Sequence, residues 1–218
     1  MVRIQYAVDA GSGVNEDITA IGEEHAILLD GATGLTEESY TDGPTDGRWY
    51  VEALSEELSD RIPQTDSLSR AAERAIGAVQ EQYNAATSAV SPPPEAVPSA
   101  SGAIIDWSGG ELTYFILGDC SAILQTATSV IPVIGRGPRT LDEQVLDRMI
   151  ELREADPELT QEELWDRVIP QLREHRMLKN DPDGYWVFSL DPEAVNYAME
   201  GGEFPCPRRS MWSASQTV

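Results

Sequence analysis

The chain has 218 residues, enough for one domain with a single sizeable core, and its 41% hydrophobic and 24% charged residues are ordinary for a folded globular protein. Its charge is not ordinary: 38 Asp and Glu against 15 Lys and Arg leave a formal net charge of −23, a field that repels nucleic acid and anionic membranes and argues against both as partners. Two cysteines, Cys120 and Cys206, stand far apart without a Cys-x-x-Cys pattern, which excludes a cysteine zinc site and fits a reducing compartment.

Acidity alone would suit a disordered chain, but five Trp, seven Tyr and three Phe among periodic apolar segments predict a folded one. Lys179 is the only lysine. Diffuse carboxylate with so little lysine points to a salt-loving source, where acidic side chains keep a domain hydrated. No stretch approaches the ~18 apolar residues of a membrane span, and the N-terminus lacks the apolar core of a signal peptide, so a soluble, cytoplasmic protein is expected.

Taken in chain order, residues 3–8 alternate loosely as a strand, and residues 9–13 form a glycine-rich turn. Segments 18–21 and 25–29 flank Gly22-Glu23-Glu24, a hairpin signal. From Asp46 the period becomes helical: Trp49, Ala53, Leu54 and Leu58 share a face, with a stop near Pro63. A second helix carries Leu68, Ala72, Ile76, Val79 and Tyr83 on one side, capped by Asp66 or Ser67. The proline-rich run 91–98 is a stiff connector. Strands are then expected over 102–107, 111–117, 121–125 and 130–134. Residues 140–178 return to helix, with Leu141, Val145, Leu146 and Met149 in one stripe and Leu164, Val168, Leu172 and His175 in another. Thr160-Gln161-Glu162-Glu163 resembles a capping box opening the second of these helices. A turn at Asn180-Asp181-Pro182-Asp183-Gly184, a short strand over 185–190 and an aromatic-rich tail follow. Strands and helices fall in blocks, which predicts an antiparallel α+β layering over 1–218 as a single domain.

Among so many acids, geometry has to select. If the first hairpin is centred between Glu23 and Glu24, residues whose numbers sum to 47 face each other, so Asp17 meets Asp30. Like charges directly opposite destabilise a strand pair unless a cation joins them, and hard oxygen ligands suit Mg²⁺ or Mn²⁺. Gly31 lets its backbone carbonyl come close to such an ion. The competing reading has Asp30-Gly31 starting a turn and Asp17 exposed; spacing alone leaves both open. Gly118-Asp119-Cys120 places another acid at the end of an apolar strand, where a plain turn former is the alternative.

Asn15-Glu16-Asp17, Asp30-Gly31-Ala32-Thr33-Gly34-Leu35 and Leu117-Gly118-Asp119-Cys120-Ser121-Ala122 occur in that order, with two helices between the second and third. The set resembles the successive signatures of the PP2C-type (metal-dependent PPM) serine/threonine protein phosphatases. The resemblance implies a β-sandwich flanked by helical layers, four layers in αββα order and incomplete at the C-terminus. It implies two or three Mn²⁺ or Mg²⁺ ions and a metal-activated water that hydrolyses phosphoserine or phosphothreonine. Carried over by position, Asp30 bridges metals, the Gly31 carbonyl ligates one, Glu16 and Asp17 act directly or through water, and Asp119 serves an outer ion. Partners would be phosphorylated proteins and a cognate Ser/Thr kinase.

Three departures qualify it. Position 12, where many members carry the phosphate-gripping Arg, is Ser, so Arg3 or another basic group takes that role or phosphate affinity is poor. Cys120-Ser121 replaces Ser-Arg. The family's later Asp-Gly metal motif has only Asp183-Gly184 as a candidate, in a context that reads as a turn. A fragment, a truncated product or a lapsed enzyme is therefore expected, with a catalytically impaired, phosphoprotein-binding module as the alternative function. Helices within 140–180 form an inserted pair that suits a flap. His25 and His175 sit in apolar patterns and are expected to pack rather than catalyse.

Overall fold

The computed structural model describes residues 7, 13–36, 38–125 and 128–205. Apart from Ala7, the expected strand over 3–8 lies outside the described residues, as do Arg3, Ser12, Cys206 and the strand-like end of the chain. Strands β1 (Asp17–Ile21), β2 (His25–Ala32), β3 (Ser99–Asp106), β4 (Glu111–Leu117) and β7 (Met199–Pro205) form one antiparallel sheet in that spatial order. Strands β5 (Ser121–Gln125) and β6 (Val130–Ile134) pair with each other in a separate ribbon. Helices α1 (Asp46–Arg61) and α2 (Leu68–Ala86) precede β3, and α3 (Arg139–Ala155) and α4 (Gln161–Arg176) follow β6.

Strand alternation separates the faces of the sheet. Ile27 and Leu29 of β2, Ile104 of β3, and Phe115 and Leu117 of β4 point to one side, where they pack against α1 and α2 in the principal core. Tyr50, Val51, Leu54 and Leu58 of α1 are fully buried there, and such burial stabilises by about 1.5–3 kcal/mol per large side chain. The α1 face is rotated from the expected one: Trp49 and Ala53 lie at its margin, where Trp49 meets the ring of Tyr83 at 5.9 Å. The α2 stripe is as expected, all five residues buried, and the Ser67 side chain caps the helix by accepting from Arg70 N.

Ala103 and Ile116 point to the opposite side, where they pack with Val133 of β6 and with Ala122 and Leu124 of β5. The sheet is thus covered by helices on one face and by the β5–β6 ribbon on the other. Helices α3 and α4 build a small core of their own from Val145, Leu152, Leu159, Leu164 and Val168. Leu146, expected in the α3 stripe, is exposed. The Thr160–Glu163 capping box is formed in both directions.

Two expectations near the end of the chain change. Residues 185–190 are not a strand; Phe188 makes a single bridge to Ala100 through two hydrogen bonds of 2.8 and 2.9 Å. The reason is space: β4 ends opposite Gly102, so Phe188 takes the short free edge of β3 beyond it. The strand β7 was hidden because Met199-Glu200-Gly201-Gly202 has no apolar alternation. Gly201 packs closely on Tyr114, whose hydroxyl would lie 2.6 Å from a Cβ at that position. Among the described residues, no helix is long and apolar enough to cross a membrane.

Candidate active site

The β1–β2 register places Asp17 opposite Asp30, as the hairpin arithmetic requires, at the open end of the pair. Both lie on the face of the sheet turned away from α1 and α2, beside Ser101 of β3, which is the other neighbour of Asp30. The Asp17 carboxyl interacts directly with that of Asp30, and two like charges set so close favour a cation between them. Burial, then the charges of Asp17, Asp119 and Glu16, push the Asp30 pKa up to about 6. Asp30 keeps solvent contact in surface terms, so this burial is enclosure by neighbouring walls rather than removal from water.

Glu16 is spent differently. Its carboxylate accepts from Thr33 N at 2.8 Å and from the hydroxyls of Thr33 and Thr45. Thr45 is also the N-cap of α1, accepting from Arg48 N at 3.0 Å, and the Thr33 hydroxyl accepts from Gly47 N at 2.9 Å. Glu16 therefore locks the strand end carrying Asp17 and Asp30 onto the start of α1. Arg48 adds to this by donating from Nη1 to the carbonyls of Asn15 and Asp17 at 3.3 and 3.1 Å. Gly31 permits the approach, because a Cβ would lie 2.5 Å from the Glu16 carbonyl and 2.8 Å from Val51 Cγ1. Buried Asp46, at the first turn of α1, holds the preceding loop by accepting from the backbone of Tyr40 and Thr41 at 2.8–3.0 Å.

Asp119 follows Gly118, whose φ of +92° favours glycine, and Asp119 N donates to the Ser101 hydroxyl at 3.2 Å. Burial, and then the charges of Asp30, Asp119 and Asp17, push the Cys120 thiol beside it up to about 12.

Asp30 and Asp119 open onto a cleft of about 250 Å³. Its far wall comes from α3 and α4 and carries Leu141, Asp142, Leu172, His175 and Arg176. Burial and then Asp119 push the Asp142 pKa up, with His175 and Arg176 pulling the other way. None of these far-wall groups was identifiable as part of the site from sequence; His175, expected to pack, lines the cleft. Asp183 sits instead in the turn, its N–H donating to Asp181 Oδ1 at 2.9 Å, and is not part of the cleft lining. His25 is buried at the far end of β2, and burial lowers its pKa.

Among the described residues, no three His, Cys, Asp or Glu side chains are gathered as a metal-binding set. What converges is a pair, Asp17 and Asp30, with Asp119 felt through space. The donors are all oxygens, and two carboxylates set directly opposite repel each other, so the chemistry of the pair fits a hard divalent cation.

No family model matches the chain, and no curated protein sequence matches it. Solved structures with a similar course include the catalytic domain of the serine/threonine protein phosphatase PstP in complex with two manganese ions, at 13% identity and TM-score 0.46, covering 90% of this chain and 67% of that one. A bacterial serine phosphatase follows at 16% identity and TM-score 0.44, covering 84% of this chain and 66% of that one. The Mycobacterium tuberculosis serine/threonine phosphatase PstP/Ppp follows at 18% identity and TM-score 0.40, over 72% of this chain and 57% of that one. Superpositions of this quality leave the role of each residue to be argued from the chain's own geometry.

Proposed function

We propose that this chain is a metal-dependent hydrolase of phosphoserine and phosphothreonine in proteins, built on the PP2C-type four-layer plan. The observation that carries the reading is the Asp17–Asp30 pair, two carboxylates held opposite each other at the edge of a cleft. Asp17, Asp30 and the Gly31 carbonyl would hold Mn²⁺ or Mg²⁺, with Asp119 placed for a further ion. When bound, such ions supply an activated water and neutralise charge on the phosphoryl group. The protein's own part is positional: Glu16, Thr33, Thr45 and Arg48 fix the strand ends, and the cleft walls orient the phosphate. We assign residues 1–218 to one domain, residues 140–180 to a flap over the cleft, a phosphorylated protein and its kinase as partners, and the cytoplasm of a halophile as its setting.

The test is phosphate release from a phosphothreonine peptide, with and without Mn²⁺, in dilute and concentrated KCl. Mn²⁺-dependent release that Asp30→Asn lowers by more than about 100-fold supports the reading; release by Asp30→Asn at the wild-type rate refutes it. A second reading, a phosphoprotein-binding module without turnover, is favoured by one observation. Glu16 is committed to protein donors, so only a carboxylate pair faces the metal position. Folded protein that binds the phosphopeptide but releases no phosphate in any salt would select it.

A further inference from the structure

The sheet wall of the cleft offers a phosphate dianion only carboxylates and serine hydroxyls, from Asp30, Asp119, Ser99 and Ser101. Two described residues of the lining can carry positive charge, His175 and Arg176, and both come from the last turn of α4. Arg176 is half-buried, and its Nη1 donates to Ser99 Oγ at 3.3 Å. The Tyr185 side chain also interacts with it. Both partners are neutral side chains. The ion pairs among the described residues lie elsewhere, at Arg48–Glu52, Arg61–Glu57, Arg70–Asp66 and Arg148–Glu151.

Arg74, Arg153 and Arg167 are not among these ion pairs either, but Arg176 lines the cleft, where Asp142 acts on it through space and not by an ion-pair contact. A guanidinium has five N–H donors in a planar fork, and two neutral contacts leave donors free for a bidentate oxyanion. Two neighbouring bases are otherwise engaged. Arg173 is exposed and donates from Nε to the Leu35 carbonyl at 3.0 Å. Lys179 donates to the Val97 carbonyl at 2.5 Å and is not part of the lining.

Resting on the hydrolase reading, we propose that Arg176 is the group that grips the substrate phosphate, reaching it from the helical wall across the cleft from Asp30 and Asp119. The arrangement gives the α3–α4 hairpin a binding role: substrate phosphate would tie it to the sheet.

The proposal is tested on the full chain with Arg176→Ala, Arg176→Lys and, as a neighbouring charge control, Arg173→Ala. Inorganic phosphate binding is measured by calorimetry in Mg²⁺, independently of turnover, beside KM and kcat for a phosphothreonine peptide in Mn²⁺. Arg176→Ala is expected to weaken phosphate binding at least about tenfold and to raise KM similarly with a smaller change in kcat. Arg176→Lys should recover part of the loss, and Arg173→Ala should stay within about twofold of wild type. If Arg176→Ala loses its cooperative melting transition, Arg176→Gln carries the same test with a hydrogen-bonding side chain. Wild-type phosphate binding that vanishes in the variant, with no turnover in either, upholds the grip and removes the hydrolase reading. Turnover with unchanged KM and phosphate binding in Arg176→Ala, or no phosphate binding by the wild type, overturns the grip.

Discussion

The two walls of the cleft are built in opposite ways. The sheet wall stands on the principal core: Leu29 and Val51, which flank Asp30 and Gly31 in sequence and space, are fully buried. Its register is fixed by a hairpin of paired residues from Asp17–Asp30 to Ile21–Ala26. The helical wall stands on five buried side chains of its own. Its hydrogen bonds to the body include Arg173 to Leu35, Arg176 to Ser99 and, just beyond α4, Lys179 to Val97. A rigid acidic wall thus faces a separately packed wall that carries the cation. Precision is needed where carboxylates must meet an ion; a phosphate-gripping group tolerates, and gains from, an element able to open and close.

The largest expected difference between the walls is in stability. Leu54→Ala should cost about 3 kcal/mol of global stability, measured by denaturant titration, because α1 carries the sheet. Leu164→Ala should instead raise hydrogen exchange across residues 139–178 while amides of β2 and β3 keep their protection. Equal loss of protection in the sheet would show that the two walls are one cooperative unit.

A smaller effect should follow from Gly31→Ala. The added methyl must displace the Glu16 backbone or Val51, at a cost of about 1–3 kcal/mol, and it should weaken Mn²⁺ binding by shifting Asp17 against Asp30. Unchanged stability and metal binding would mean that this strand end is less tightly fixed than its contacts imply.

How much of this was legible follows the same division. Asp17 opposite Asp30 could be read once the turn was centred between Glu23 and Glu24, because that centre sets the register and side-chain direction follows from alternation. The α2 stripe could be read because five apolar residues repeat at helical spacing. The far wall could not: Asp142 and Arg176 are more than twenty residues beyond Asp119, and only the path of α3 and α4 brings them across from it. On their own helices they look like solvated charges. The strand expected at 185–190 failed because an apolar run was present but a free sheet edge was not. The β7 strand failed for the converse reason, an available edge beside β4 filled by glycines.

The smallest predicted effect concerns Lys179. Burial, with the nearby Arg176 charge, lowers its pKa to about 7 from 10.5. The unfolded chain holds this proton up to the higher value while the folded chain releases it near the lower one. The unfolded state therefore binds more protons between them, and this group's contribution to stability rises with pH across that window. Lys179→Met should be favoured over wild type by on the order of 1 kcal/mol near neutral pH, an advantage that shrinks toward about pH 10. An advantage independent of pH would mean that Lys179 is not held in the enclosed position.

The central claim is that Asp17 and Asp30 together hold a divalent cation, and Mn²⁺ binding followed by electron paramagnetic resonance tests it most directly. Concentrated KCl screens diffuse attraction to the −23 chain, leaving only specific sites. The account predicts a tight Mn²⁺ class in the wild type that both Asp17→Asn and Asp30→Asn remove, while Glu38→Gln, an exposed acid outside the cleft lining, keeps it. Equal binding by all four proteins, or none by the wild type, would contradict it.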